Sequence, residues 1–173
     1  MESNVVMHKD RKVLQWLWLS LFIVIIDQVT KIWINATFEL YESITVLPFF
    51  NLSLIYNEGA AWSFLATAGG WQRWFLSGLA IVMSGVIFVW LSRLKAQQVW
   101  LACALALVLG GAVGNVIDRI IYGHVIDFID IYYQQWHWPT FNIADSAISI
   151  GVVMLLIDAV RGDKNEPTDS HNY

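Results

Sequence analysis

Four stretches of the chain are apolar and long enough to cross a hydrocarbon core of about 30 Å as helices. They run over residues 13–34, 71–91, 99–117 and 141–160. The first follows a polar segment carrying Lys9, Arg11 and Lys12, the layout of a signal peptide. No small-x-small cleavage site follows it, and the helical pattern continues through Asp27, Gln28 and Lys31, so it reads as an uncleaved span. Trp71 and Trp74 at one end of the second stretch and Trp90 at the other suit the two interfaces of a bilayer. Gly110 and Gly114, toward the end of the third, have the GxxxG spacing that lets another helix approach closely. Between the first two spans lies a long connection, 35–70, with Glu39, Glu42 and Glu58 and no Lys or Arg. Within it, Ser43–Tyr56 is rich in strand formers. It predicts one or two short strands, broken at Pro48 and closed by an Asn57-Glu58-Gly59 turn. Val125–Tyr132 predicts another strand, and the polar tail 162–173 is expected to be disordered.

Composition sharpens the class. Of the 173 residues 57% are hydrophobic and only 14% charged, where a soluble domain carries roughly 25% charged residues. The length suits a single integral membrane domain, residues 1–173, with an all-α membrane fold of four transmembrane helices. The lone Cys103 lies inside an apolar run, which excludes a disulfide framework and suits a small buried residue. No basic face with interleaved aromatics exists for nucleic acid. There is no internal repeat to support an inverted-repeat transporter.

Charge sets the expected orientation. Lys9, Arg11, Lys12, Arg93, Lys95, Arg161 and Lys164 flank one set of span ends; Lys31, Arg73 and Arg119 lie toward the other. By the positive-inside rule both termini and the 92–98 loop are cytoplasmic. Asp27, Asp118, Asp127, Asp130 and Asp145 then all fall at or beyond the outer ends, where charge is costly and tends to be functional.

Two of these acids suit hydrolytic chemistry. Asp145 sits at the start of the fourth span, where Asn142 can cap the helix and Asp145 complete a capping box. That accounts for an acid there without requiring catalysis. Asp127 lies on the expected strand 125–132, and taken alone reads equally as a solvated loop acid. Brought together, two carboxylates cannot both ionise easily and can share a proton, one drawing a proton from water and the other protonating a departing group. Asp130, three residues from Asp127, should face the other side of the strand. Asp27 and Lys31, four apart on one helical face, read as a partner pair. Asp118 reads as structural, and Arg119 as reaching an acid elsewhere or a ligand carbonyl. His124, Asp127 and Asp130 have metal-ligand chemistry, but strand alternation splits them, so no metal is expected. No G-x-S-x-G or S-x-x-K element supports a serine hydrolase using Lys31.

Five motifs, in order, resemble signal peptidase II, the lipoprotein signal peptidases of bacteria: Asp27-Gln28-Val29-Thr30-Lys31, Asn57-Glu58-Gly59-Ala60-Ala61, Gly114-Asn115-Val116-Ile117-Asp118-Arg119, Gly123-His124-Val125-Ile126-Asp127-Phe128 and Phe141-Asn142-Ile143-Ala144-Asp145. The resemblance spans Asp27 to Val160. It implies an intramembrane aspartyl endopeptidase with Asp127 and Asp145 as the catalytic pair. Asn57, Asn115, Arg119 and Asn142 would line the substrate site, and Asp27, Lys31 and Asp118 would be structural polar support. It also implies four transmembrane helices, a small extracytoplasmic sheet from the 35–65 region, and an outer-face site in the bacterial inner membrane. The substrate would be a diacylglyceryl-modified prolipoprotein, cut before the lipidated cysteine by a monomer that needs no cofactor and contacts membrane lipid. Trp62 departs from the family pattern, which usually has Phe there. Gly59, Gly69 and Gly70 raise the expectation that 57–70 closes over substrate. The alternatives are a small proton- or ion-coupled transporter using the rim acids, which would favour acids deeper in the spans, and an interaction subunit that docks a partner on its outer loops.

Overall fold

The computed structural model describes residues 3–59 and 70–162. The expectations placed on Ala60, Ala61, Trp62 and Gly69, on most of the 57–70 lid, and on the tail from 163 lie outside the described residues. The elements run α1 (Ser3–Thr37), β1 (Ser43–Leu47), β2 (Phe50–Asn57), α2 (Gln72–Arg93), α3 (Val99–Ile121), β3 (Val125–Tyr133), β4 (Trp136–His137) and α4 (Ile143–Gly162). Segments Gln15–Thr37, Gln72–Arg93, Val99–Ile121 and Ile143–Arg161 are long and apolar enough to cross a membrane. The expected centres hold and several ends move. α1 starts ten residues before the apolar run, α3 continues to Ile121 rather than 117, and α4 starts at Ile143 rather than 141. Hydrophobicity marks where lipid begins, whereas a helix stops only where its backbone groups find other partners.

α3 is the central helix: 61% of its span is buried, against 22%, 17% and 17% for α1, α2 and α4. Small residues make that possible. A Cβ on Gly110 would lie 2.8 Å from the Ser20 carbonyl oxygen of α1, and one on Gly111 would run into the Ala144 carbonyl of α4. Gly114 faces the Asp27 carboxylate, 2.6 Å from the same imagined atom. The glycine run thus seats two helices, α1 and α4, where the GxxxG spacing pointed to one. Farther along, Ile87 and Leu91 of α2 pack with Leu101, Leu105 and Leu109 of α3 in a buried apolar cluster.

At the other end of the bundle the strands form one antiparallel sheet in the order β1-β2-β3-β4. The break at Pro48 separates β1 from β2, as the sequence suggests. Half of the sheet, however, comes from 125–137 rather than from the 35–65 region alone. Ile34 of α1, Leu54 of β2, and Ile126 and Phe128 of β3 make the core that ties the sheet to the helices. A register shift between Leu52 and Ile55 puts one extra residue into β2. It reverses which face the later residues of β2 present. Asn51, opposite Asp130, therefore faces the other side of the sheet from Asn57, although the two are an even number of residues apart.

Gly111→Ala should lower the thermal unfolding midpoint in detergent, by an amount equivalent to roughly 1–3 kcal/mol for overpacking. Gly85→Ala, whose new methyl meets nothing within 4 Å, should leave it unchanged or raise it slightly.

Candidate active site

The site is built outward from Lys31. Its Nζ is 2.8 Å from Asp27 Oδ2 and 2.8 Å from Asp118 Oδ2, and it donates to Asn115 Oδ1 at 3.0 Å. All three of these ionisable side chains are almost wholly buried. A buried ammonium is tolerable only when such oxygens replace its water. The expected Asp27–Lys31 pair is therefore present, but as one side of a larger cluster. The far oxygen of Asp27 accepts the Ala144 backbone N–H at 2.9 Å. That N–H belongs to the first turn of α4, where the helix has no acceptor of its own. Asp118 accepts the Ile126 N–H at 3.2 Å and the Gln28 amide at 2.8 Å. The cluster thus ties α1 to α3, β3 and the start of α4. Asp118 thus has its partners on α1 and β3; the contribution of Gln28 was not anticipated from the sequence.

Asparagines carry this frame to the two outlying acids. Asn115, whose Oδ1 is taken by Lys31, donates through Nδ2 to Asp145 Oδ1 at 2.8 Å. Asn142 donates to Asp127 Oδ1 at 2.7 Å, and Asn57 donates to Asp127 Oδ2 at 3.0 Å. The capping box also forms: the Asp145 N–H donates to Asn142 Oδ1 at 2.9 Å, and the Asn142 N–H to Asp145 Oδ2 at 3.2 Å. Capping and a place in the cavity are therefore not alternatives for Asp145. The cap fixes its rotamer while Asn115 holds its other oxygen.

Asp127 and Asp145 line one cavity of about 650 Å³ together with Asn57 and Asn115. Trp138, Pro139, Thr140 and Phe141 form one wall, and Ser146, Ile148 and Ser149 of α4 another. Neither wall was picked out from the sequence; each depends on where the 138–141 segment folds back beside α4. Asp127 is buried on β3. That burial, and then the neighbouring charge of Asp145, push its carboxyl up to about 7, against the opposing hydrogen bonds from Asn57 and Asn142 and the charge of Lys31.

The remaining acids and cations separate cleanly. Asp130 accepts from Asn51 at 2.8 Å and contacts His137, away from Asp127, in line with strand alternation. His124 stacks on Tyr56 with ring centroids 3.9 Å apart, so His124, Asp127 and Asp130 have different partners. Arg119 donates to the Gly59 carbonyl at 2.9 Å and the Asn115 carbonyl at 3.3 Å. Its expected carbonyl partner thus belongs to the chain's own 57–59 turn. That turn is closed by the Gly59 N–H donating to Asn57 Oδ1 at 3.0 Å. The Nε of Arg119 is buried with no hydrogen-bond partner among the described residues.

Fold and site together define a multi-pass membrane protein with a paired-carboxylate cavity at one end of its helix bundle. The sequence model of the family described as Signal peptidase (SPase) II matches residues 19–161. The chain is 53% identical over 155 residues to the lipoprotein signal peptidase of Pseudomonas putida, covering 88% of this chain and 91% of that one. With the lipoprotein signal peptidase of Pseudoalteromonas atlantica it shares 51% identity over 152 residues, 88% and 93% of the two chains. A bacterial membrane enzyme solved by the in meso method at 2.3 Å superposes with a TM-score of 0.79 at 34% identity, covering 91% and 94%. The chain belongs to the signal peptidase II family, a family of proteases.

Lys31→Met should sharply reduce the yield of folded protein in detergent, because it strands two buried carboxylates, a loss of roughly 3–5 kcal/mol. Adding Asp27→Asn and Asp118→Asn to Lys31→Met should restore part of that yield, measured by size-exclusion profile and unfolding midpoint.

Proposed function

We propose that the protein is an aspartyl endopeptidase that removes signal peptides from prolipoproteins, with Asp127 and Asp145 as its catalytic pair. The observation that carries this reading is the cavity shared by the two carboxylates, each held by asparagine side chains and close enough in charge for Asp145 to raise Asp127. Burial and the charge of Asp145 keep a proton on the Asp127 carboxyl up to about pH 7. Asp127, the more buried member, is the better placed to carry it. Ionised Asp145 takes a proton from a water molecule, whose oxygen attacks the scissile carbonyl. Asp127 donates its proton to the departing amide nitrogen, the C–N bond breaks, and the pair is left with one proton again. Asn57 and Asn115 meet the substrate backbone in the cavity, while Asn142 and Arg119, the other two expected substrate contacts, stand behind it on Asp127 and the Gly59 carbonyl, with Asp27, Lys31 and Asp118 as polar support.

The substrate is a prolipoprotein already carrying diacylglyceryl on its cysteine, cut just before that residue. The cavity runs from the carboxylates along Ser146, Ile148 and Ser149 of a membrane-length helix, which suits a peptide whose acyl chains and apolar helix remain in lipid. We place the protein in the bacterial inner membrane as a monomeric, single-domain peptidase with both termini cytoplasmic and the sheet and cavity at the outer face. The segregation of Lys and Arg supports that orientation. The transporter reading called for acids deep in the spans; Asp27 and Asp118, which lie within spans, are paired with Lys31, whereas Asp127 lies on the sheet and Asp145 in the first turn of α4.

Purified wild-type protein should cleave a diacylglyceryl-modified prolipoprotein and be indifferent to chelator. Asp127→Asn and Asp145→Asn, with folding verified, should each lose at least about a hundredfold in turnover, the low end of what acid–base catalysis contributes. The wild-type rate should fall as pH rises through about 7, where Asp127 gives up its proton. Full activity in either variant would break the pairing.

A further inference from the structure

The cavity wall formed by Trp138, Pro139, Thr140 and Phe141 is a short arch whose two ends are held in different ways. At the inner end Phe141 is locked to β3. Its carbonyl accepts the Phe128 and Ile129 N–H groups at 3.0 Å and 2.8 Å, and its own N–H donates to the Ile129 carbonyl at 3.1 Å. The outer end hangs on β4, which is only two residues long and pairs Tyr132 with His137 and Tyr133 with Trp136. One further backbone bond, Trp138 N–H to the Ile131 carbonyl at 2.8 Å, follows it. The hairpin turn is locally strained: Gln134 sits at φ 56°, a left-handed conformation better suited to Gly or Asn.

Side chains on β3 and β4 add a further restraint. His137 Nδ1 lies 2.8 Å from Asp130 Oδ1 and 3.0 Å from Oδ2, so it donates to a carboxylate reached at both oxygens. Asp130 is itself buried and fixed from the neighbouring strand by Asn51 Nδ2 at 2.8 Å. The His137 ring stacks on Tyr132, centroids 5.2 Å apart. Neither Asp130 nor His137 lines the cavity.

We propose that His137 is a positioning residue for substrate binding: clamped by Asp130, it fixes the outer end of the 138–141 arch and so the shape of the cavity wall. The proposal rests on the peptidase reading for what the cavity binds. It acts on KM, because the arch touches the cavity while the reacting carboxylates are held by other residues.

His137→Ala in the full chain should raise KM for a diacylglyceryl-modified prolipoprotein about tenfold, the effect of losing a hydrogen bond to a charged group, with kcat nearly unchanged. His137→Asn, which retains a donor near the Nδ1 position, should restore most of the affinity. His137→Phe, which keeps only the ring for Tyr132, should behave like the alanine variant. An asparagine variant as impaired as alanine, or a fall in kcat at constant KM, would overturn the proposal. Amide hydrogen exchange across 132–141 reads the clamp without cleavage: faster in the alanine and phenylalanine variants and slow again in the asparagine variant. Unchanged exchange in His137→Ala would also overturn it. The exchange result decides the clamp even where wild type cleaves nothing, an outcome that sinks the peptidase reading instead.

Discussion

A single ammonium group, the Nζ of Lys31, is buried among packed helices and has to be neutralised there. Three oxygens do so, from Asp27 on the same helix and from Asp118 and Asn115 on α3. Because the charge leaves little freedom in where those oxygens lie, the cluster acts as a geometric reference for everything attached to it. Asp27 fixes the first turn of α4 through Ala144, Asp118 fixes the start of β3 through Ile126, and Asn115 reaches Asp145. The two acids of the cavity come from distant parts of the sequence and different kinds of element. Both are nevertheless positioned relative to the same buried cation. Gly114 belongs to this arrangement as much as the charges do, since a side chain there would collide with Asp27.

The same frame explains how neighbouring carboxylates acquire different characters. Asp118 and Asp27 share a buried cation, and each accepts a backbone N–H group. Asp127 lies on the sheet, and its hydrogen-bond donors among the described residues are asparagine amides, with the charge of Lys31 acting on it from farther away. Burial and a second carboxylate then outweigh those bonds. Asparagine is well suited to the linking positions because it donates and accepts at once. Asn115 accepts from Lys31 while donating to Asp145, and Asn142 caps α4 while holding Asp127.

Much of this was legible along the chain, for identifiable reasons. The spans follow from hydrophobic runs, Asp27 with Lys31 from helical spacing, and the separation of Asp127 from Asp130 from strand alternation. The Asn142–Asp145 capping box follows from a local pattern. What remained hidden depends on contacts between distant segments. Nothing in Phe50–Asn57 announces the extra residue between Leu52 and Ile55, although it decides which asparagine meets which aspartate. The Asn51–Asp130–His137 chain is likewise invisible until β2, β3 and β4 are side by side. Helix ends moved because α3 keeps its backbone pairing beyond the apolar run, so that Asp118 and Arg119 lie within its last turn and a half.

The central claim is that Asp127 and Asp145 act as one proton-sharing pair on a frame set by Lys31. Its most direct test is the pH titration of the Asp127 carboxyl carbon by NMR, in wild type and in Asp145→Asn. The account predicts titration near pH 7 in the wild type and a clear downward shift in the variant, because the charge of Asp145 is the second cause of the elevation after burial. Titration of Asp127 near the ordinary aspartate value of about 4 in both proteins, or no shift on removing Asp145, would contradict it.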